Sequence, residues 1–386
     1  MSNMTIRQID RSISLQWILL LMIVVIGIIL RVEAQNHLRV ISLDGIMYIY
    51  RALSVLIGVG HFERRGPLFQ LLLMISYKIF GVSFESSVLV PQFFGGIVPI
   101  LLFLLGKRFF DSKTGLIAAL LGAFNPLLIN LSCWVLRETL TLALILMLIL
   151  AAHFTVKIRS KKRSLIASTM PGFLSGLLIL TREEMLFVIP PAYIAYAYFY
   201  EKKRLNFMVK TSVFIITTTL VMIPWLLYSS TQFGDPFYSY WFYLKNVVGG
   251  VGTEVPGAEG VSVPVFPWLL GILPAILFGL WREMIELPAV LSLLGFLFLP
   301  VGVMLTVKKR AIWVIYFIMA SDLFILSPIM SLPGYLDRLS MPYQWINVSR
   351  FIFPSVMPTI IITAYGIRSL VPFLTCPARF REFLKI

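Results

Sequence analysis

Two acidic residues, Asp44 and Glu138, are candidates for acid–base chemistry. Asp44 begins a stretch in which apolar residues recur at helical spacing over 46–56, and Glu138 opens an apolar run that extends to 156. Because helix N-termini attract carboxylates, each acid also has a purely structural interpretation as a cap or first-turn residue. Two carboxylates on one face suit general-base catalysis or binding of a divalent cation. We therefore predict Asp44 and Glu138 as catalytic residues, with Tyr48, one turn after Asp44, in contact with substrate.

Four arginines could hold an anionic group such as a phosphate. Arg64 and Arg65 precede a Gly-Pro step and an apolar run, Arg182 separates two apolar runs, and Arg350 opens another. Guanidinium forks and helix N-termini both bind phosphate oxygens. Structural alternatives stand beside this prediction: anchoring at the membrane interface for Arg64, Arg65 and Arg350, and an ion pair with a neighbouring glutamate for Arg182.

The elements that must position these residues are apolar helices. Hydrophobic residues make up 59% of the 386 residues and charged residues 13%, which is too apolar for a water-soluble domain. Runs long enough to span a bilayer predict about ten transmembrane helices. They lie near 13–31, 87–106, 114–131, 138–156, 165–181, 184–200, 211–229, 287–307, 311–328 and 351–371. Shorter stretches at 67–80 and 266–281 predict interfacial or re-entrant segments. The expected fold is an all-α integral membrane protein.

The charge pattern predicts the orientation of these helices. Most of the 33 Lys and Arg residues fall on one side of the predicted bilayer, so the positive-inside rule places that side and both termini in the cytoplasm. The net charge of +15 is thereby explained without nucleic acid. Most acidic residues and the longest connections, 32–86, 230–286 and 329–350, fall on the outer side. We therefore predict a multi-pass protein of the cell membrane with its active site on the outer face.

Several blocks of this sequence resemble the GT-C-type membrane glycosyltransferases, in the branch of protein O-mannosyltransferases and the aminoarabinose transferase acting on lipid A. These blocks come after the segment that contains Asp44. In chain order they read RRGPLFQLLLMISYKIFG, LLGKRFFDSKTGLIAALLGAFNPLLINLS, RETL, LTREE, YSSTQFGDPFY and SRFIFPSVMP. No nucleotide-binding glycine loop, zinc-ligand spacing or hydrolase nucleophile motif accompanies them.

The resemblance implies transfer of a sugar from a polyprenyl-phosphate-linked donor to a lipid, glycan or protein acceptor. In such enzymes the acid of the first outer loop, here Asp44, is the base, and Glu138 matches a second active-site carboxylate. Arginines at the places of Arg182 and Arg350 hold the lipid phosphate, with Arg64 and Arg65 as further candidates. A divalent cation, if one is used, would bind Asp44 and Glu138. This sequence departs from the family in two places. Gly45 follows Asp44, where many relatives carry a second acidic residue, and Glu183 follows Arg182, where relatives often carry proline.

The expected organisation is one transmembrane domain over 1–386, with interfacial helices in 32–86 and a lid in 230–286. Aromatic residues in that lid, among them Tyr238 and Tyr240, either stack on sugar faces or form an interfacial belt. Three alternatives stay open at this point. A lipid or polysaccharide transporter would carry ionisable residues near the bilayer midplane. A polysaccharide polymerase or ligase would depend on outer-face arginines, and a non-catalytic assembly subunit would tolerate loss of Asp44 or Glu138.

Overall fold

The computed structural model describes residues 3–37, 41–62, 65–158, 161–201, 203–240, 298–321 and 357–374. Within these ranges the chain is helical and contains no strand. The helices are α1 (Asn3–His37), α2 (Leu43–Leu56), α3 (Leu68–Phe80), α4 (Phe84–Phe109), α5 (Ser112–Ala123), α6 (Pro126–Cys133), α7 (Glu138–Lys157), α8 (Lys161–Thr181), α9 (Met185–Tyr200), α10 (Arg204–Phe233), α11 (Trp313–Ser321) and α12 (Ile360–Leu374). A further helical segment lies at 298–306. The predicted all-α architecture is confirmed.

Four helices in the described ranges are long and apolar enough to cross a membrane. They are Leu15–His37, Phe84–Phe109, Glu138–Lys157 and Arg204–Phe233, and the bent pair α5–α6 gives a fifth if it is counted as one span. Shorter apolar helices include α3, α9 and the part of α8 from Leu165 to Thr181. The chain is therefore a multi-pass membrane protein, and the total of about ten spans stays a prediction.

The apolar run at 114–131 is not one straight helix. It divides into α5 and α6, whose axes differ by 53°. Pro126 lacks an N–H and its ring would clash inside a continuous helix, so α5 ends before it. Asn125 is the N-cap of α6, where its Oδ1 accepts a hydrogen bond from the Leu128 N–H at 2.8 Å.

Arg31 of α1 forms hydrogen bonds to both helices that meet at this bend. Its side chain is 1% exposed and donates hydrogen bonds to the carbonyl of Gly27 at 2.7 Å and to that of Ala123 at 3.3 Å. Its Nε also donates to Ser132 Oγ of α6 at 3.3 Å. The last carbonyls of a helix have no partner within the helix, so a buried cation beside them is favourable. Arg31 therefore joins α1 to both halves of the bent pair.

Helix α2 starts at an N-cap serine rather than at Asp44. Ser42 Oγ accepts a hydrogen bond from the Gly45 N–H at 3.0 Å, and Asp44 lies in the first turn. The helix buries a face formed by Gly45, Tyr48 and Ala52, and it exposes apolar residues such as Ile46 on another face. Because Ser42 supplies the cap, the carboxylate of Asp44 is not required for that structural task.

Candidate active site

Asp44 and Arg65 lie side by side at the start of α2. The Arg65 Nη1 atom is 3.6 Å from the Asp44 Oδ1 atom, and the two side chains are 38% and 29% exposed. Asp44 comes from the first turn of α2 and Arg65 from the connection before α3, so tertiary packing brings them together. A partly exposed carboxylate beside a cation can accept a proton from a hydroxyl group, while the cation binds a phosphate.

Tyr48 is buried directly behind this pair. Its ring is 2% exposed and packs edge-on against Phe69, with 5.2 Å between the ring centroids. Burial raises the pKa of the Tyr48 phenol, which therefore stays protonated at neutral pH. Four charged groups lie near enough to act on it: Arg137, Arg65, Glu138 and Asp44. Tyr48 thus lies near both predicted catalytic carboxylates, and its contact with substrate stays a prediction.

Glu138 is the first residue of α7, as the sequence predicts, and its side chain is 3% exposed. The turn before it packs on α2, since a side chain added at Gly45 would come within 3.1 Å of the Val135 carbonyl oxygen. Glu138 therefore belongs to the buried part of the site, whereas Asp44 belongs to its exposed part.

Behind Asp44 and Arg65 lies a buried group of four charges, Arg137, Arg182, Glu183 and Glu184, called here the inner charge cluster. Arg137 Nη1 lies 3.2 Å from Glu183 Oε2, and Arg137 Nη2 lies 3.9 Å from Glu184 Oε2. Arg182 Nε donates to Glu184 Oε1 at 2.5 Å. Every member is at most 6% exposed. Buried charges persist only when they are paired in this way.

The two glutamates of the inner charge cluster differ in their titration. Burial disfavours the charged form of both carboxyls, and it raises the pKa of Glu183. At Glu184 the opposing effect of Arg182 and Arg137 outweighs burial, so the pKa of Glu184 is lowered. Glu184 is therefore the more strongly held anion of the two.

Gly66 brings the connection before α3 against this cluster. Its backbone N–H donates a short hydrogen bond to Glu183 Oε1. A Cβ atom at this position would lie 2.2 Å from the Leu180 carbonyl oxygen, a distance that no side chain tolerates. Glycine is thus required for the close approach of residues 65–66 to the end of α8.

The structure places the remaining predicted site residues as follows. Arg182 is 1% exposed and engaged with Glu184, which favours the ion pair that the sequence left open over direct contact with a lipid phosphate. Tyr240 is buried close to Glu183, whose charge raises the pKa of the tyrosine further than burial alone. Arg64 and Arg350 lie outside the described residues, as does the part of the predicted lid from 241 onwards.

Arg137 and Glu183 are the site residues that sequence reasoning missed. Each is adjacent to a predicted residue, in the segments RETL and LTREE. The available signal was the density of charge between apolar runs, because charges at that depth are costly unless they meet a partner. Sequence alone does not tell which partner each charge meets, since Arg137 and Glu183 are 46 residues apart.

The described residues offer no group of three or more His, Cys, Asp or Glu side chains that could hold a metal ion. Asp44 has a cation, Arg65, as its near neighbour, and hard divalent cations take six or more oxygen ligands. The expected cation site at Asp44 and Glu138 is thus not supported by the donors in this part of the chain.

The middle of this chain matches a known protein family. Residues 64–228 match the family of dolichyl-phosphate-mannose-protein mannosyltransferases. This range contains Arg65, the bent pair α5–α6 and the whole inner charge cluster. No curated protein matches the chain.

Solved membrane glycosyltransferases share the fold. The oligosaccharyltransferase of Archaeoglobus fulgidus, in complex with zinc and sulfate, aligns over 95% of this chain with a TM-score of 0.58 and 16% identity. ArnT of Cupriavidus metallidurans bound to undecaprenyl phosphate aligns over 92% with a TM-score of 0.64 and 12% identity. The oligosaccharyltransferase AglB, with an inhibitory peptide and a dolichol-phosphate, aligns over 91% with a TM-score of 0.53 and 15% identity.

This chain covers 51%, 61% and 50% of the length of the chains in those three structures. At such identities the alignments establish architecture rather than substrate. The resemblance that the sequence blocks indicated is confirmed: the chain has the fold of the GT-C glycosyltransferases, and its residues 64–228 match the dolichyl-phosphate-mannose-protein mannosyltransferase family.

Proposed function

We propose that this protein transfers a sugar from a polyprenyl-phosphate-linked donor to a lipid, glycan or protein acceptor, with Asp44 as the catalytic base. The observation that carries this proposal is the pairing of a partly exposed Asp44 with Arg65 at 3.6 Å, beside a buried set of charges. The fold adds support, since the related ArnT and AglB structures contain undecaprenyl phosphate and dolichol-phosphate.

The proposed reaction is a displacement at the anomeric carbon of the donor. Asp44 accepts the proton of the acceptor hydroxyl or amine while that oxygen or nitrogen forms a bond to the anomeric carbon. The bond between the anomeric carbon and the phosphate oxygen breaks, and its electron pair leaves on the phosphate. The products are the glycosylated acceptor and the polyprenyl phosphate, with one proton on Asp44.

Arg65 is proposed to bind the donor phosphate and to stabilise the charge that grows on it. In the free protein the same guanidinium lies 3.6 Å from the Asp44 carboxylate. A phosphate that draws Arg65 away would leave Asp44 open to the acceptor. Donor binding and access to the base are coupled in this arrangement.

The other predicted residues keep supporting roles in the proposal. Glu138 orients the acceptor from the start of α7, and Tyr48, which lies near both Glu138 and Asp44, contacts the substrate. Arg64 and Arg350 are candidates for further phosphate contacts. Arg182 acts on the site through its ion pair with Glu184.

The proposed site faces the outside of the cell, and both termini face the cytoplasm. This orientation rests on the distribution of Lys and Arg between the connections. The whole chain is proposed to form one domain, in which 32–86 contributes interfacial helices and 230–286 covers the site.

The decisive experiment is a transfer assay with Asp44→Asn. Purified wild type and variant would be given a panel of polyprenyl-phosphate sugars with a membrane extract as the source of acceptor. Asn keeps the shape of the side chain but cannot take the proton, so transfer should fall by about a hundredfold or more. The control is Glu33→Gln, which neutralises an exposed acid paired with His37 on α1 and should leave transfer unchanged.

Unchanged transfer by Asp44→Asn would move the base to another residue, with Glu138 next to be tested. If well-folded wild type consumed none of the donors, glycosyl transfer would be rejected in favour of lipid or polysaccharide transport.

A further inference from the structure

Glu183 connects two separate segments of the candidate active site. Its Oε1 atom accepts the backbone N–H of Gly66, and its Oε2 atom lies 3.2 Å from Arg137 Nη1. Arg137 also donates from Nη1 to the carbonyl of Thr181 at 2.8 Å, two residues before Glu183. The Glu183 side chain is 2% exposed, so both contacts are shielded from water.

Each of these two partners is adjacent in sequence to a residue of the proposed chemistry. Gly66 follows Arg65, which pairs with Asp44, and Arg137 precedes Glu138 at the start of α7. One carboxylate thus links the segment that carries the proposed phosphate ligand to the segment that carries the second acid. The link passes through protein that is buried on every side, where hydrogen bonds to a charged group are strong.

We propose that Glu183 is a positioning residue that fixes Arg65 and Glu138 relative to each other. The roles of Arg65 and Glu138 rest on the proposed function, whereas the contacts of Glu183 with Gly66 and Arg137 do not. A guanidinium that must leave Asp44 for a phosphate needs a backbone that stays in place, and misplacement of reacting groups by about 1 Å costs rate. The inner charge cluster supplies that fixed point.

The local geometry explains why a glutamate serves here. Gly66 approaches so closely that only a hydrogen atom fits between it and Leu180, which brings its N–H within reach of the turn after α8. The second carboxylate oxygen then meets Arg137, whose buried charge needs an anion. Glu184 lies farther from Arg137, at 3.9 Å, and is engaged by Arg182. Glu183 is therefore the member of the cluster that reaches both segments.

The test combines hydrogen exchange with ligand binding on the full-length protein in detergent. Exchange would be followed at residues 65–68 and at 134–141, where the amides of Leu136 and Thr141 are hydrogen bonded. The variants are Glu183→Ala, which removes both contacts, and Glu183→Gln, whose amide oxygen still accepts from Gly66. The matched control is Glu201→Ala, which removes a carboxylate paired with Lys210 near the opposite end of α7.

We expect Glu183→Ala to speed exchange in both segments by at least about tenfold, as the loss of about 1.4 kcal/mol of local stability would. Glu183→Gln should speed exchange more in 134–141 than in 65–68. If Glu183→Ala does not fold, this difference between the two segments in Glu183→Gln tests the proposed link. Glu201→Ala should leave both segments unchanged. Protection that persists in either segment after loss of Glu183 would overturn the link.

The second readout is the dissociation constant for undecaprenyl phosphate, measured without turnover. It should rise by about tenfold in Glu183→Ala, rise less in Glu183→Gln, which keeps the contact with Gly66, and stay unchanged in Glu201→Ala. Equal affinity of wild type and Glu183→Ala would reduce Glu183 to a purely structural residue. Failure of wild type to bind the lipid phosphate would instead reject the proposed function, and the exchange data would then decide the link alone.

Discussion

At the scale of single residues, the Asp44–Arg65 pair is expected to contribute little to stability. Both side chains are about one third exposed and lie 3.6 Å apart, beyond ideal hydrogen-bond distance. Ion pairs of this kind typically contribute about 0–1 kcal/mol to folding. The inner charge cluster is the reverse case, because loss of one partner there leaves a buried charge uncompensated.

Arg65→Gln is therefore expected to separate function from folding. The free energy of unfolding should change by less than about 1 kcal/mol, since water already screens the pair. The KM for the polyprenyl-phosphate donor should rise by about tenfold or more, because a charge-assisted contact to phosphate is lost. Steady-state transfer kinetics and chemical denaturation would measure the two effects.

Arg65→Lys is the matched control for this prediction. It keeps the charge and loses the planar fork, so its KM should fall between those of wild type and Arg65→Gln. An unaltered KM in Arg65→Gln would remove Arg65 from the phosphate site and leave Arg64 or Arg350 as the candidates.

At the scale of elements, the bend between α5 and α6 depends on close contact with α4. A Cβ atom at Gly95 of α4 would lie 2.1 Å from Ser132 Oγ, and that hydroxyl cannot turn away without breaking its bonds to Arg31 and Leu128. Small residues permit this approach, as they commonly do between membrane helices. The contact matters for the site because α6 leads into the turn that carries Arg137 and Glu138.

Gly95→Ala should lower the stability of the protein by about 1–3 kcal/mol, because an overpacked contact forces the helices apart. Gly96→Ala is a control on the same helix, where the nearest atom to an added Cβ, Ile28 Cγ1, is 3.6 Å away. That variant should be neutral or slightly stabilising, since alanine favours helix. Denaturant titration in detergent would compare the two, and equal stabilities would contradict the tight contact.

At the scale of the whole molecule, the exposed apolar surface is that of a protein surrounded by lipid. Exposed side chains follow α1 and α10 along their length, as Leu21, Ile29, Ile216 and Leu227 illustrate. In water such surfaces would be a site of aggregation, whereas lipid tails cover them without cost.

The predicted orientation can be measured by labelling single cysteines from outside intact cells, in a background without Cys133 and Cys376. Val59→Cys, 77% exposed after α2, should react with a membrane-impermeant reagent. Lys113→Cys, exposed at the start of α5, should react only after the membrane is opened. This pattern follows from the excess of Lys and Arg on the side of residue 113. The reverse pattern would invert the topology and place the proposed site in the cytoplasm.

The sequence by itself determined the environment and the class of fold. Long apolar runs have few stable solutions in lipid other than helices, because backbone groups must be satisfied within each segment. The start of α7 at Glu138 and the helix carrying Asp44 were predictable for the same reason, since helix periodicity and N-terminal signals are local. The order of the blocks RRGPLF, RETL and LTREE sufficed to indicate the GT-C resemblance.

Only the tertiary structure decided which charges meet. Arg65 lies beside Asp44, Glu183 joins Gly66 to Arg137, and Arg31 caps the bend at Ala123, although these partners are separated by tens of residues. Local sequence shows that a buried charge needs a counter-charge, but several neighbours of the right sign are always available. Which one is reached depends on how closely helices approach, and here the glycines at 66 and 95 set that distance.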